Sequence, residues 1–199
     1  MTVTVIFKMA ITIFEIDSKQ LDGYSLIPIR FEVSSIFDVE LVNGGLGGIL
    51  LHERKVTPYI KDYDEWELPI DWPRQFDVSH WGFFLARDGD QNIGAAAVAF
   101  NTNGVHMLEE RSDLAVLWDI RVRPEVRGRG VGRRLFEHAA QWSRQRGCVQ
   151  MKIETQNVNV PACRFYRAMG CELGNIHRFG YAAIPSVSGE VMLNWYFNL

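Results

Sequence analysis

The six residues Arg127-Gly128-Arg129-Gly130-Val131-Gly132 restrict the fold more than any other stretch, because they separate a strand pattern from a helix pattern. Before them, Val116, Trp118, Ile120 and Val122 fall on alternate positions, which predicts a half-buried strand with those four side chains on one face, ended by Pro124. After them, Val131, Leu135, Ala139 and Trp142 recur at spacings of three and four, with Arg133, Arg134, Glu137, Gln141 and Arg144 between them. That is an amphipathic helix, and Gly147 ends it, with Arg144 and Arg146 in the last turn where cations suit the helix dipole. Glycines let backbone N–H groups close around phosphate oxygens, and a helix N-terminus adds positive potential. The ligand implied therefore carries phosphate. The third glycine of G-x-G-x-x-G is missing and no Gly-Lys-Ser/Thr follows, which excludes the dinucleotide fingerprint and the Walker loop.

The motif Arg-x-x-Gly-x-Gly, here Arg127, Gly130 and Gly132, resembles the acetyl-CoA pyrophosphate loop of the GNAT N-acetyltransferases. The run DIRVRPEVRGRGVGRRLFEHA from Asp119 is similar to that family's strand-loop-helix core, and FYRAMGCELG from Phe165 to Gly174 resembles its second hallmark. Within the family, ETQNVNVPACRFY and the terminal EVMLNWYFNL look most like the streptothricin acetyltransferase branch, over a span from about Trp81 to Leu199. The resemblance implies an α/β fold with a mixed, mostly antiparallel sheet, two splayed central parallel strands, and helices on both faces. It implies one such domain over residues 1–199, with residues 1–20 either a loosely ordered lead-in or an extra strand.

Composition agrees with one soluble globular domain: 199 residues, 47% hydrophobic and 23% charged. A net charge of -3 argues against a partner that is nucleic acid, but it conceals an asymmetry. Nine acids (Glu32, Asp38, Glu40, Glu53, Asp62, Asp64, Glu65, Glu67, Asp71) face three bases (Arg54, Lys55, Lys61) between Glu32 and Asp71. From Arg121 to Arg146, eight arginines face only Glu125 and Glu137. The two halves suit a polyanionic cofactor and a cationic acceptor, or are simply solvated faces of opposite sign. Cys148, Cys163 and Cys171 are odd in number and lack metal spacing, so neither a disulfide framework nor a metal site is expected. Met1–Phe14 carries Lys8 and has neither a signal layout nor the length of a membrane span, so a cytoplasmic protein with no membrane partner is expected.

Along the chain, residues 2–16 alternate loosely, and Tyr24–Val33 reads as a strand that Pro28 demotes to an edge or a bulge. Asn43-Gly44-Gly45 and Gly47-Gly48 make a turn where a helix is disfavoured. Tyr59, Tyr63, Trp66, Trp72, Phe76 and Trp81 lie among carboxylates, a composition that forms a cation-binding wall or packs a loop onto the sheet. Trp81–Arg87 and Ile93–Asn101 read as strands joined at Asp88-Gly89-Asp90, and the small side chains of Gly94–Ala97 call for something bulky against them. Val149 to Thr155 forms a strand parallel to the first, Asn159 caps a second helix ending at Gly170, and Val191 to Trp195 forms a last strand at the sheet edge.

The resemblance also implies roles. Ile120, Arg121 and Val122 offer backbone to the pantetheine arm, and Arg127, Gly128, Arg129, Gly130, Val131, Gly132 and Arg133 hold the pyrophosphate, with Arg129 or Arg133 reaching the 3′-phosphate. Asn159 and Ala162 contact the arm, and Tyr166 is the acid that protonates the departing thiolate. Asp119 and Glu154 each lie on a strand bordering the slot, and each is read as the base or as a binder of the cationic acceptor. Cys163 early in its helix is read as buried filler. The function expected is transfer of acetyl from acetyl-CoA, with no metal, to a primary amine of a small cationic molecule such as a streptothricin-like antibiotic, by direct transfer in a ternary complex. The alternatives are a protein or peptide N-acetyltransferase and a non-catalytic acyl-CoA sensor; a homodimer is left open.

Overall fold

The computed structural model describes residues 11–199. In chain order the main elements are β1 (Thr12–Ile16), α1 (Leu21–Ser25), β2 (Phe31–Leu41), β3 (Ile49–Lys61), α2 (Trp72–Gln75), β4 (Gly82–Asp88), β5 (Gln91–Ala99), β6 (Leu114–Val122), α3 (Val131–Gln145), β7 (Gln150–Gln156), α4 (Val160–Ala168), β8 (Glu172–His177) and β9 (Met192–Asn198). Seven strands form one sheet in the order β1-β4-β5-β6-β7-β9-β8, and β2 and β3 form a separate ribbon. Among the described residues of the large sheet, only β6 and β7 are parallel, as expected of two strands joined by a crossing helix. The part of the 1–20 lead-in that is described enters the sheet, with Ile13 opposite Ala86; the loose alternation of residues 2–10 lies outside the described residues.

Helix α3 buries Val131, Leu135, Phe136, Ala139, Ala140, Trp142 and Ser143 against one sheet face. The larger of these side chains contribute about 1.5–3 kcal/mol each by leaving water. The small residues of β5 make the close approach possible: a Cβ added at Gly94 would lie 2.9 Å from Val131 Cγ1 and 3.0 Å from Leu135 Cδ1. On the other face, Tyr24 of α1 and Trp72 of α2 pack with Trp81, Phe83, Ala95 and Ala97.

A bulge shapes β6. Leu117 pairs with Val98 and Asp119 with Ala97, so Trp118 is the extra residue. An extra residue reverses which face the following side chains point to and bends the strand. Val116 and Trp118 accordingly pack on the α1/α2 side, whereas Ile120 and Val122 pack on the α3/α4 side, correcting the single four-residue face predicted from alternation. The pairing of β6 with β7 runs from Leu114↔Gln150 to Leu117↔Ile153 and stops there, at the bulge. Beyond it the two strands separate.

Two other expectations are corrected. Tyr24–Val33 is not one strand: Tyr24 belongs to α1, fully buried against Trp72, and β2 begins at Phe31. Tertiary burial of Tyr24 and Ile27 outweighs the local β-branched bias. The last strand is not at the edge, because β8 takes the edge and β9 returns between it and β7. Its sequence Glu-Leu-Gly-Asn-Ile-His is too mixed to announce a strand. The turn at Asn43–Gly48 joins β2 to β3 as a long ribbon.

Candidate active site

Where β6 and β7 part, a cavity of about 1020 Å³ opens. Leu117 to Val122 of β6 border it on one side and Ile153 to Gln156 of β7 on the other. The loop from Val126 to Arg133, apart from Arg129, and the face of α4 carrying Ala162, Phe165 and Tyr166, with Met169 just after it, line one part. Phe31, Tyr63, Trp66, Glu67, Trp72, Phe76, His106, Met107 and Trp118 line another. Of the six aromatics suspected of forming a cation wall, Tyr63, Trp66, Trp72 and Phe76 reach the cavity. Trp81 instead donates to Thr102 Oγ1 at 2.8 Å in the core, and Tyr59 is exposed on the ribbon.

At the loop end, Gly128 and Gly130 hold φ of +79° and +83°, and a Cβ at either would meet nothing within 4 Å. They are glycines for backbone conformation, in a loop facing open space. The first helix amide with a backbone acceptor outside the helix ladder is that of Arg134, which donates to Gly130 O at 3.1 Å. The preceding amides of α3 point from its N-terminus, where orphan donors and the helix dipole favour an anion. The loop therefore fits a phosphate group by its donors. Arginine side chains there are partly committed: Arg127 donates to Val122 O at 3.0 Å and Arg30 O at 2.9 Å. Arg129 approaches Asp88 at 3.2 Å and Arg133 approaches Glu137 at 3.7 Å, both exposed. Asn159 caps α4, its Oδ1 accepting from the Ala162 amide at 3.2 Å.

The two candidate carboxylates differ in their surroundings. Both oxygens of Asp119 are engaged: Oδ1 accepts from Tyr24 Oη at 2.6 Å and Arg121 Nε at 3.0 Å, and Oδ2 accepts from Arg121 Nη2 at 2.8 Å. Arg121 also donates from Nη1 to Ile27 O at 2.9 Å and to Asp64 Oδ1 at 3.1 Å, so its side chain is a buried tie between β6, the α1–β2 loop and the base of the ribbon. Among the described residues Glu154 is held by one bond, Oε1 accepting from Tyr181 Oη at 2.7 Å. Burial raises its pKa above that of an ordinary carboxylate, opposed by the Tyr181 hydrogen bond and the charge of Lys152. Tyr166 is buried, and burial together with the charge of Asp119 keeps its phenol protonated far above neutral pH. Among the described residues no hydrogen bond to its hydroxyl adds to that effect. Cys163 sits beside Thr155, its thiol pushed up by burial to about 11, which suits filler rather than a nucleophile.

A family model described as "Acetyltransferase (GNAT) family" matches residues 50–171. The chain belongs to the GNAT acetyltransferase family. It is 34% identical over 168 residues to the streptothricin acetyltransferase of Escherichia coli, covering 84% of this chain and 85% of that one. With the streptothricin acetyltransferase of Streptomyces lavendulae it shares 41% identity over 157 residues, covering 77% and 76%. The structure of a Bacillus anthracis acetyltransferase in complex with acetyl coenzyme A matches with a TM-score of 0.74 and 28% identity, covering 96% of this chain and 98% of that one. The present chain is thus an acetyl-CoA-dependent N-acetyltransferase with the GNAT fold.

In this GNAT enzyme the sequence reading assigns no role to Gln156, which lines the cavity, or to Tyr181, which lies in a loop with no periodicity and bonds to Gln156 and Glu154. Their partners come from β7 and from the segment after β3, which only the fold brings together. The acid-rich half also divides: Asp38, Glu40 and Glu53 pair with Arg54, His52 and Arg164 on the exposed ribbon, while Glu67 reaches the cavity and accepts from Trp72 Nε1 at 2.8 Å. The solvated-face reading holds for the former group.

Among the described residues no helix is long and apolar enough to cross a membrane.

Proposed function

We propose that this GNAT enzyme acetylates a primary amine of a small cationic antibiotic of the streptothricin kind. One observation carries the reading: a single cavity joins a glycine loop suited to phosphate with a wall of aromatic rings and carboxylates, Trp66, Trp72, Phe76, Glu67 and Glu154 among them. Ring faces and carboxylates both attract ammonium groups. The similarity to the streptothricin acetyltransferases of E. coli and S. lavendulae supports the same acceptor class.

In this proposal the backbone of Ile120, Arg121 and Val122 receives the pantetheine arm, exposed where β6 leaves β7. The amides of Gly128 and of Gly130 to Arg133 hold the pyrophosphate, the Arg129 amide donating instead to Val126 O at 3.3 Å, and Asn159 and Ala162 flank the arm. The amine nitrogen, unprotonated, bonds to the acetyl carbonyl carbon as the carbon–sulfur bond breaks. Glu154 takes a proton from that nitrogen, directly or through water, and Tyr166 gives its hydroxyl proton to the thiolate, regaining one from solvent or Glu154. A phenol that stays protonated at neutral pH carries the proton the donor role needs. Asp119 is assigned to structure instead, because Arg121 and Tyr24 occupy both its oxygens. A cytoplasmic location and a homodimer belong to the same proposal, tested by fractionation and by sedimentation.

The test is thiol release from acetyl-CoA with streptothricin, aminoglycosides, polyamines, amino acids and peptides as acceptors. Turnover with streptothricin well above the others is expected. Turnover confined to peptides, with streptothricin inert, would overturn the acceptor assignment.

A further inference from the structure

Five hydrogen bonds link six groups, from residue 63, residues 154–162 and residue 181, in a line that ends on Glu154. The Ala162 amide donates to Asn159 Oδ1 at 3.2 Å, and Asn159 Nδ2 donates to Tyr63 Oη at 3.3 Å. Tyr63 Oη donates to Gln156 Oε1, Gln156 Nε2 donates to Tyr181 Oη at 2.7 Å, and Tyr181 Oη donates to Glu154 Oε1 at 2.7 Å. The direction of this line is not free. A backbone N–H can only donate and an ionised carboxylate can only accept, so the two ends orient both amides and both phenols between them. Once the Ala162 amide claims Asn159 Oδ1, only Nδ2 remains for Tyr63, whose single proton must go to Gln156, and the same argument carries through Gln156 to Tyr181. The phenol proton of Tyr181 is thereby aimed at Glu154.

We propose that Tyr181 is a positioning residue for Glu154, holding its carboxylate at the cavity as the last link of a one-way hydrogen-bond chain that begins on the N-cap of α4. The proposal rests on the reading of Glu154 as a site residue given above. Three observations carry it. Tyr181 is buried although it belongs to a loop between β8 and β9, so its phenol is placed by packing and not by chance. Tyr63, Gln156, Glu154 and Asn159 all line the cavity, so the chain runs along its wall from the cofactor helix to the acceptor side. Glu154 Oε1 is taken by Tyr181, which leaves Oε2 for the acceptor amine. The other groups acting on Glu154 are few among the described residues. Lys152, two positions back on β7, is paired with Glu109 at 2.7 Å; Asn194 of β9 stands opposite in register; Tyr63, Glu67 and His106 share the cavity. Only Tyr181 of these donates a hydrogen bond to the carboxylate, an interaction that favours the ionised form against burial.

The experiment follows kcat/KM for streptothricin against pH, at saturating acetyl-CoA, in the wild type and in Tyr181→Phe, Tyr63→Phe and Glu154→Gln. Thermal melts establish that each variant is folded. The limb that Glu154→Gln removes defines the contribution of Glu154. Tyr181→Phe is expected to move that limb to higher pH by about one unit, close to a tenfold loss on its acid side, with little change at the plateau. Tyr63→Phe, which breaks the chain in its middle and leaves Tyr181 in place, is expected to move it the same way by less. A limb that stays put in both tyrosine variants, while Glu154→Gln removes it, overturns the positioning role and leaves Glu154 in the site. Full activity with an unchanged limb in Glu154→Gln overturns the reading of Glu154 itself, and the proposal with it. Loss of rate at every pH without a shift in either phenylalanine variant also overturns it, since that is the mark of general structural damage.

Discussion

Arg121 grips Asp119, two positions earlier on the same strand, from Nε at 3.0 Å and Nη2 at 2.8 Å, and both side chains are buried. The bulge at Trp118 turns this pair toward α1, where Tyr24 completes the carboxylate's hydrogen bonds. A buried charge that loses its partner is costly, about 3–5 kcal/mol. Asp119→Ala is therefore expected to lower stability by about 3 kcal/mol, because among the described residues Arg121 then keeps Asp64 as its one acidic partner. Urea denaturation measures it. The folded variant should retain kcat within about threefold, far short of the ~100-fold loss expected when a general base is removed. Full stability with a hundredfold loss would return Asp119 to the role of base.

Tyr166 lines the cavity, and burial keeps its phenol protonated at neutral pH. Tyr166→Phe keeps the ring packed against Phe136 and Phe165 and removes only the proton donor. The expected result is a fall in kcat of about 100-fold or more, the usual worth of a positioned acid, with the affinity for acetyl-CoA nearly unchanged. Steady-state kinetics together with calorimetry separate the two. An equal loss of both would make Tyr166 a packing residue.

Gly130 sits at a φ of +83° with open space where a side chain would project. Gly130→Ala should cost about 1–2 kcal/mol of stability through its left-handed backbone while leaving measurable CoA binding. Gly130→Asp adds a negative charge where the phosphates are placed, and calorimetry should then detect no binding of CoA. Unchanged affinity in the aspartate variant would remove the loop from the site.

Trp66 lines the cavity with half its surface exposed, and the ammonium of Lys61 lies 4.9 Å from its ring centre. The ring already serves as a seat for one cation. Trp66→Ala should raise KM for streptothricin by about tenfold, the scale of one cation–π contact at a partly wet site, and leave KM for acetyl-CoA as it was. A change confined to acetyl-CoA would place the tryptophan on the cofactor side instead.

Local pattern alone determined the centre of this protein. The strand, glycine turn and helix from Val116 to Gln145 could be read because period two, positive-φ glycines and period 3.6 each depend on a few neighbouring residues, and the same holds for Asn159 as the cap of α4. What only the tertiary structure decided depends on contacts between distant segments. Alternation cannot reveal the bulge at Trp118, which comes from register with β5, yet it reverses the faces of Asp119 and Ile120 and opens the cleft. Nor can composition reveal that Asp119 is spent on Arg121 while Glu154 meets Tyr181, 27 residues away in a loop without periodicity. A carboxylate's role follows from the donors around it and from its burial, and those are set by how the chain closes on itself.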